Sequence, residues 1–86
     1  MKYRKKPVEV EAFKWTGDHH QVEDPEWIVE AIKNGKVVII YPKLFINTLE
    51  GKMTANKGDW IIKGVKGELY PVRNDIFEAT YELVAP

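Results

Sequence analysis

Cysteine is absent from this 86-residue chain. That excludes disulfides, thiolate metal sites and cysteine nucleophiles, and it fits a reducing compartment. A long apolar run is absent as well. The longest, VVIIY at 37–41, is far short of the roughly 20 residues that cross a bilayer. Residues 1–6 are basic, but the apolar stretch of a secretory signal does not follow them. An excess of either charge is missing too: thirteen Lys and Arg balance thirteen Asp and Glu. The chain as a whole therefore has no pull toward nucleic acid or anionic lipid, and any such binding needs a local patch. These absences predict a soluble cytoplasmic protein without a membrane span.

What the chain does contain suits one packed core. Hydrophobic residues make up 44% and aromatics 12%, too apolar for a disordered segment. The length fits a single domain, residues 1–86, and no repeat, low-complexity stretch or linker divides it.

PVEVEAFKW at 7–15 alternates as a half-buried strand does. Val8, Val10 and Ala12 share one face, and Glu9 and Glu11 the other. Phe13 and Trp15 then fall on the glutamate face, so a bend or bulge is expected there. DPEWIVEAIKNG is the clearest helix, spanning residues about 25–33. Asp24 is placed to cap the first free N–H groups and Pro25 fits the first helical position. Glu26 and Lys33 suit the two ends of the helix dipole. Trp27, Ile28, Ala31 and Ile32 form the apolar stripe, and Asn34-Gly35 supplies a left-handed stop.

KVVIIY is β-branched and reads as a strand buried on both faces, ended by Pro42. KLFINTLE is a second run. Glu50-Gly51, Lys57-Gly58 and Lys66-Gly67 read as tight turns, where glycine supplies the positive φ that a two-residue reversal needs. Gly64 lies inside a strand pattern and marks a bulge or a close backbone approach. Pro71 places ELYPVR at a sheet edge. Asp75 and Glu78 match a capping box for a short C-terminal helical turn, with a last strand around Tyr81–Leu83. Strands clustered after one helix give an α+β class: a strongly twisted antiparallel sheet or small partly open β-barrel, with one main helix.

KGVKG contains a GxxG, but it sits among β-branched and aromatic residues, and the P-loop pattern is missing. Hairpin glycines explain it better than a phosphate loop. Asp18, His19, His20 and Glu23 offer metal-ligating types without metal-ligand spacing, and a solvated loop is the simpler reading. Glu9 and Glu11 lie about 7 Å apart on one strand face. No nucleophile or oxyanion partner accompanies them, so no catalytic residue is assigned and an enzyme is not expected. Lys2, Arg4, Lys5 and Lys6 around Tyr3 form a basic start that reads as a solvated tail. The remaining concentration is in the central hairpin: Asp59, Trp60, Lys63, Gly64, Lys66, Glu68, Tyr70 and Arg73. With Trp60 and Ile62 toward the core, Asp59, Ile61 and Lys63 would face away. Aromatic and Arg side chains beside both charge signs are the materials of an interface, although cross-strand packing is the simpler account of Trp60 and Tyr70.

MKYRKKPVEVEAFKWTGD at the start and KGDWIIKGVKGELYPVRNDIFEATYE at 57–82 resemble a family of small uncharacterised phage and prophage proteins with a Pro-Gly-Asp-Tyr-Gly-like signature. Gly58 and Asp59 match that signature. Trp60 replaces one aromatic by another, and Lys57 and Ile61 depart from it. The resemblance implies a phage or prophage origin and a bacterial host cytoplasm, but no activity. The expected function is a non-catalytic binding module acting on a host or phage protein, with association of its own copies a further expectation. One alternative is a small-ligand protein that binds or sequesters a nucleotide signal. Another is a nucleic-acid-binding accessory. No cofactor and no metal are expected.

Overall fold

A computed structural model describes residues 1–4, 6–18 and 24–84. The elements run β1 (Glu11–Lys14), α1 (Glu26–Lys33), β2 (Val37–Ile40), β3 (Lys43–Thr48), β4 (Gly51–Ala55), β5 (Trp60–Lys63), β6 (Leu69–Val72) and α2 (Asn74–Thr80). The fold is α+β, but the strands form two antiparallel sheets of three, ordered β1-β5-β6 and β2-β3-β4. It is neither one twisted sheet nor a closed barrel. The reason lies at Lys57-Gly58. Gly58 has positive φ and turns the chain, yet β4 does not pair with β5. Instead β5 takes β1, from the other end of the sequence, as its neighbour. The reversals at Gly51 and Gly67 do close true hairpins.

β1 departs from its expected register. Phe13 and Trp15 are buried, whereas Val8 is exposed. The inward face is Glu11-Phe13-Trp15, no bulge is needed, and the strand starts only at Glu11. Glu11 lies where this face runs out to solvent, beside Lys63 at 3.9 Å. The valine alternation that looked like a core stripe belongs to the exposed approach to the strand.

α1 begins after Pro25, which occupies the N-cap position, and no side chain caps it; Asp24 therefore lacks the capping role expected of it. Ile28 and Ala31 are buried, Trp27 packs against the core and Ile32 is largely exposed. The stop is as expected: Asn34 N–H donates to the Glu30 carbonyl, and Gly35 takes positive φ.

β2 is an edge strand buried on one face only. Val37 is inside, while Val38 and Ile40 point outward. Continuous β-branching suggested two covered faces, but among the described residues no element packs on the outer side. Pro42, after a cis peptide bond, accepts the Trp15 indole N–H at 2.9 Å and so ties the end of β1 to the second sheet. Leu44, Ile46 and Ala55 of that sheet meet Phe13, Ile61 and Leu69 of the first, with Ile28 and Ala31 of α1 completing one core.

β6 is an edge strand, as Pro71 requires. α2 has Arg73 at its N-cap and no side-chain cap, so Asp75 is a first-turn residue and not half of a capping box. Residues 81–84 are irregular, not a strand. Among the described residues no helix is long and apolar enough to cross a membrane. His19, His20 and Glu23 lie outside the described residues.

Candidate functional site

The eight hairpin residues singled out from sequence divide among three surroundings. Asp59 belongs to a turn. Its carboxylate accepts the Asn56 N–H at 2.9 Å, and its carbonyl accepts the Trp15 N–H at 2.8 Å. The Gly58 N–H donates back to the Trp15 carbonyl. The Gly-Asp-aromatic stretch is thus a backbone clasp that holds the end of β1 against the start of β5.

Trp60 and Tyr70 share the outer face of the first sheet with Ile62; Phe77 of α2 covers Trp60, and Tyr81, just after α2, meets Tyr70. The Trp60 ring stacks on Phe77 at 4.0 Å, Phe77 stacks on Tyr81 at 5.0 Å, and the Trp60 indole N–H donates to Asn74 Oδ1 at 2.9 Å. Period-two alternation splits the strand as expected, but its faces are exchanged. Ile61 enters the main core, and Trp60 and Ile62 lie on the opposite face, where Trp60 meets α2. Arg73 pairs with Asp75 at 2.7 Å on the exposed start of α2.

Burial, then the Tyr81 hydroxyl hydrogen-bonded to it and the negative groups at Tyr81 and Glu68, push the Tyr70 phenol up to about 12. The folded state thus holds this proton more tightly than the unfolded chain, whose phenols titrate near pH 10. The resulting stabilisation is complete below about pH 10 and is lost as pH rises through about 12. A stability profile from urea melts is expected to fall across that window and to flatten in Tyr70→Phe. An unchanged slope in that variant would place the perturbed phenol elsewhere.

Lys63, Gly64, Lys66 and Glu68 belong to the hairpin tip. The Gly64 N–H donates to the Glu68 carbonyl at 2.8 Å and the Gly67 N–H to the Gly64 carbonyl at 2.9 Å. The Glu68 carboxylate folds back to accept the Lys66 N–H at 3.2 Å. A Cβ at Gly64 would overlap the Glu68 side chain, so what comes close to this glycine is a carboxylate side chain and not the backbone that was expected. An internal carboxylate and two carbonyls therefore occupy the backbone donors that a phosphate would need.

Two shallow depressions meet beside this tip. One, of about 500 Å³, is lined by Lys36, Asn47, Thr48, Leu49, Glu68 and Leu69. The other, of about 210 Å³, is lined by α1 residues Trp27, Glu30 and Ala31, and by Asn34, Lys36, Lys63, Gly67 and Leu69. Lys36 and Leu69 line both, so the two form one trough between α1, the β3–β4 turn and the β5–β6 turn. Asn47 fixes the shared wall by donating to the Gly35 carbonyl at 3.1 Å. Of the residues expected from sequence, Lys63 and Glu68 reach this trough. Trp27, Glu30, Lys36 and Leu49 were not expected there, and nothing local in the sequence marks them, because they come from three separate segments.

The trough carries both charge signs, Glu30 and Glu68 with Lys36 and Lys63. The Lys63–Glu11 pair is long and solvent-exposed, a geometry worth about 0–1 kcal/mol at most, so the ammonium is readily released to another carboxylate. Among the described residues the lining has no serine, cysteine or histidine, and the Thr48 hydroxyl is committed to the Gly51 carbonyl at 2.6 Å. Among the described residues no cluster of three metal-ligating side chains occurs. No family model, curated protein or solved structure matches the chain.

Proposed function

We propose that this chain is a small non-catalytic binding module of phage or prophage origin that acts on a host or phage protein in the bacterial cytoplasm. The resemblance of its two ends to small phage proteins supports the origin. The observation that carries the binding role is the trough at the hairpin tip. It is shallow and open, whereas small-molecule sites enclose most of their ligand. Leu49 at the β3–β4 turn is fully exposed and Val65 at the β5–β6 turn is 70% exposed. An apolar anchor, Leu49, beside charges of both signs suits a polypeptide. The nucleotide alternative is less favoured, because Glu68 already occupies the Lys66 N–H. Nucleic acid is less favoured because the trough carries Glu30 and Glu68 beside its lysines.

A photoreactive side chain at Leu49 is expected to give one discrete adduct in a bacterial host lysate. The yield should drop roughly tenfold or more when Lys63→Glu removes a central charge. Diffuse adducts indifferent to Lys63→Glu would count against the proposal. A Tm that rises with nucleotide at about 1 mM would favour the small-ligand alternative instead.

A further inference from the structure

A different part of the surface supports a second conclusion, independent of the trough. Among the described residues nothing covers the outer face of β2-β3-β4. Register places Val38 opposite Phe45 and Thr54, Ile40 opposite Lys43, and Asn47 opposite Lys52 on that face. Ile40 is 64% exposed and Val38 is also open, while the Lys52 ammonium sits 5.3 Å over the Phe45 ring. Both ionisable side chains at these register positions are lysines, so the face is apolar and cationic.

The C-terminal segment is its counterpart. Residues 74–84, NDIFEATYELV, contain Asp75, Glu78 and Glu82 and no base. Leu83 is 97% exposed, and Ile76 and Val84 are open. α2 lies on the outer face of the first sheet, as its Trp60–Phe77 stack requires. The inner faces of the two sheets meet in one core, so their outer faces look in opposite directions. The acidic segment of one molecule therefore cannot cover its own lysine-bearing face.

We infer that the occupant of the β2-β3-β4 face is the acidic 76–84 segment of a second copy of this chain. Opposite charge around apolar contacts provides both attraction and register. Face-to-face pairing of two β2-β3-β4 sheets is disfavoured, because it sets Lys43 and Lys52 against their own copies. Contact between unlike patches on opposite sides of a molecule is head-to-tail, which builds rings or open chains and not a two-fold dimer.

Charge reversal separates this arrangement from its competitors. In sedimentation at low salt from about 10 μM to about 1 mM, where weak interfaces fill, the wild-type average mass is expected to climb past two chains. It should fall back as salt screens the contact. The double variant Lys43→Glu/Lys52→Glu has two acidic patches, and Glu78→Lys/Glu82→Lys has two basic ones. Each alone should weaken association roughly tenfold or more, and mixing them equally should restore it, because each then offers the other both complements. All four positions are exposed, and Lys52→Glu crossed with Glu82→Lys provides the same test should a double variant misfold. A wild-type mass of one chain throughout would overturn the inference and leave the face to a foreign acidic partner. A plateau at two chains, association that survives both variants, or a mixture that stays monomeric would overturn it equally.

Discussion

Replacing Phe13 by alanine is expected to lower stability by roughly 3–5 kcal/mol. Phe13 is 1% exposed; its ring lies 5.5 Å from Trp27 of α1, and its backbone partner is Ile61 at the centre of the first sheet. It therefore joins three parts of the core that are far apart in sequence. Truncation removes the transfer energy of a large ring and leaves a cavity that a helix and two sheets cannot jointly close. A domain of this length has only about 4–13 kcal/mol in total, at about 0.05–0.15 kcal/mol per residue. The variant is thus expected to melt roughly 12–40 °C lower, at about 4–8 °C per kcal/mol, in a calorimetric or circular-dichroism scan. Val8→Ala is the control. Val8 is exposed, so its truncation should stay within about 0.5 kcal/mol. A Val8 variant that lost more stability than the Phe13 variant would mean that the strand packs its valine face inward.

Trp60→Ala is expected to cost roughly 2–3 kcal/mol, less than a fully buried tryptophan because Trp60 is only partly enclosed. Its more specific consequence is the release of α2. That helix has seven residues, no buried residue and no side-chain cap. A helix so short does not persist in water without tertiary contacts. Here those contacts are the Trp60–Phe77–Tyr81 stack and the indole bond to Asn74. In hydrogen exchange, the Phe77 and Tyr81 amides, which donate to Arg73 and Phe77 carbonyls, should lose protection in Trp60→Ala while the β2-β3-β4 ladder keeps its own. Trp60→Phe preserves a stacking ring and loses only the hydrogen bond, about 1 kcal/mol, so it should retain that protection. Protection of Phe77 and Tyr81 that survives in Trp60→Ala would show that α2 is held by something other than this stack.

The function of Trp60 and Tyr70 follows from the same geometry. Sequence composition drew attention to them as interface material, and aromatic residues beside charges were the only signal available. In the fold they support α2, and the trough is built from Trp27, Lys36, Leu49, Lys63, Glu68 and Leu69 instead. Of these, Lys63 and Glu68 were legible because they flank the hairpin glycines. Leu49 and Lys36 were not, because an exposed leucine in a turn and a lysine after a helix stop look ordinary until the chain brings them side by side.

Local conformation was set by local chemistry. Asn34-Gly35 ends α1, Gly51 and Gly67 reverse their hairpins, Pro71 confines β6 to an edge, and the apolar spacing of 27–32 makes a helix. Each depends on backbone sterics or periodicity within a few residues. The partner of each strand depends on contacts across the whole chain. β5 pairs with β1 and not with β4, Phe13 and not Val8 enters the core, and β2 keeps one face open. Alternation specifies that a strand has two faces but is symmetric between them. Only the packing of two sheets and α1 around one core removes that symmetry, because burying Phe13, Ile61 and Leu69 together leaves Trp60 and Ile62 on the opposite face, with Trp60 against α2, and leaves Val38 and Ile40 to solvent.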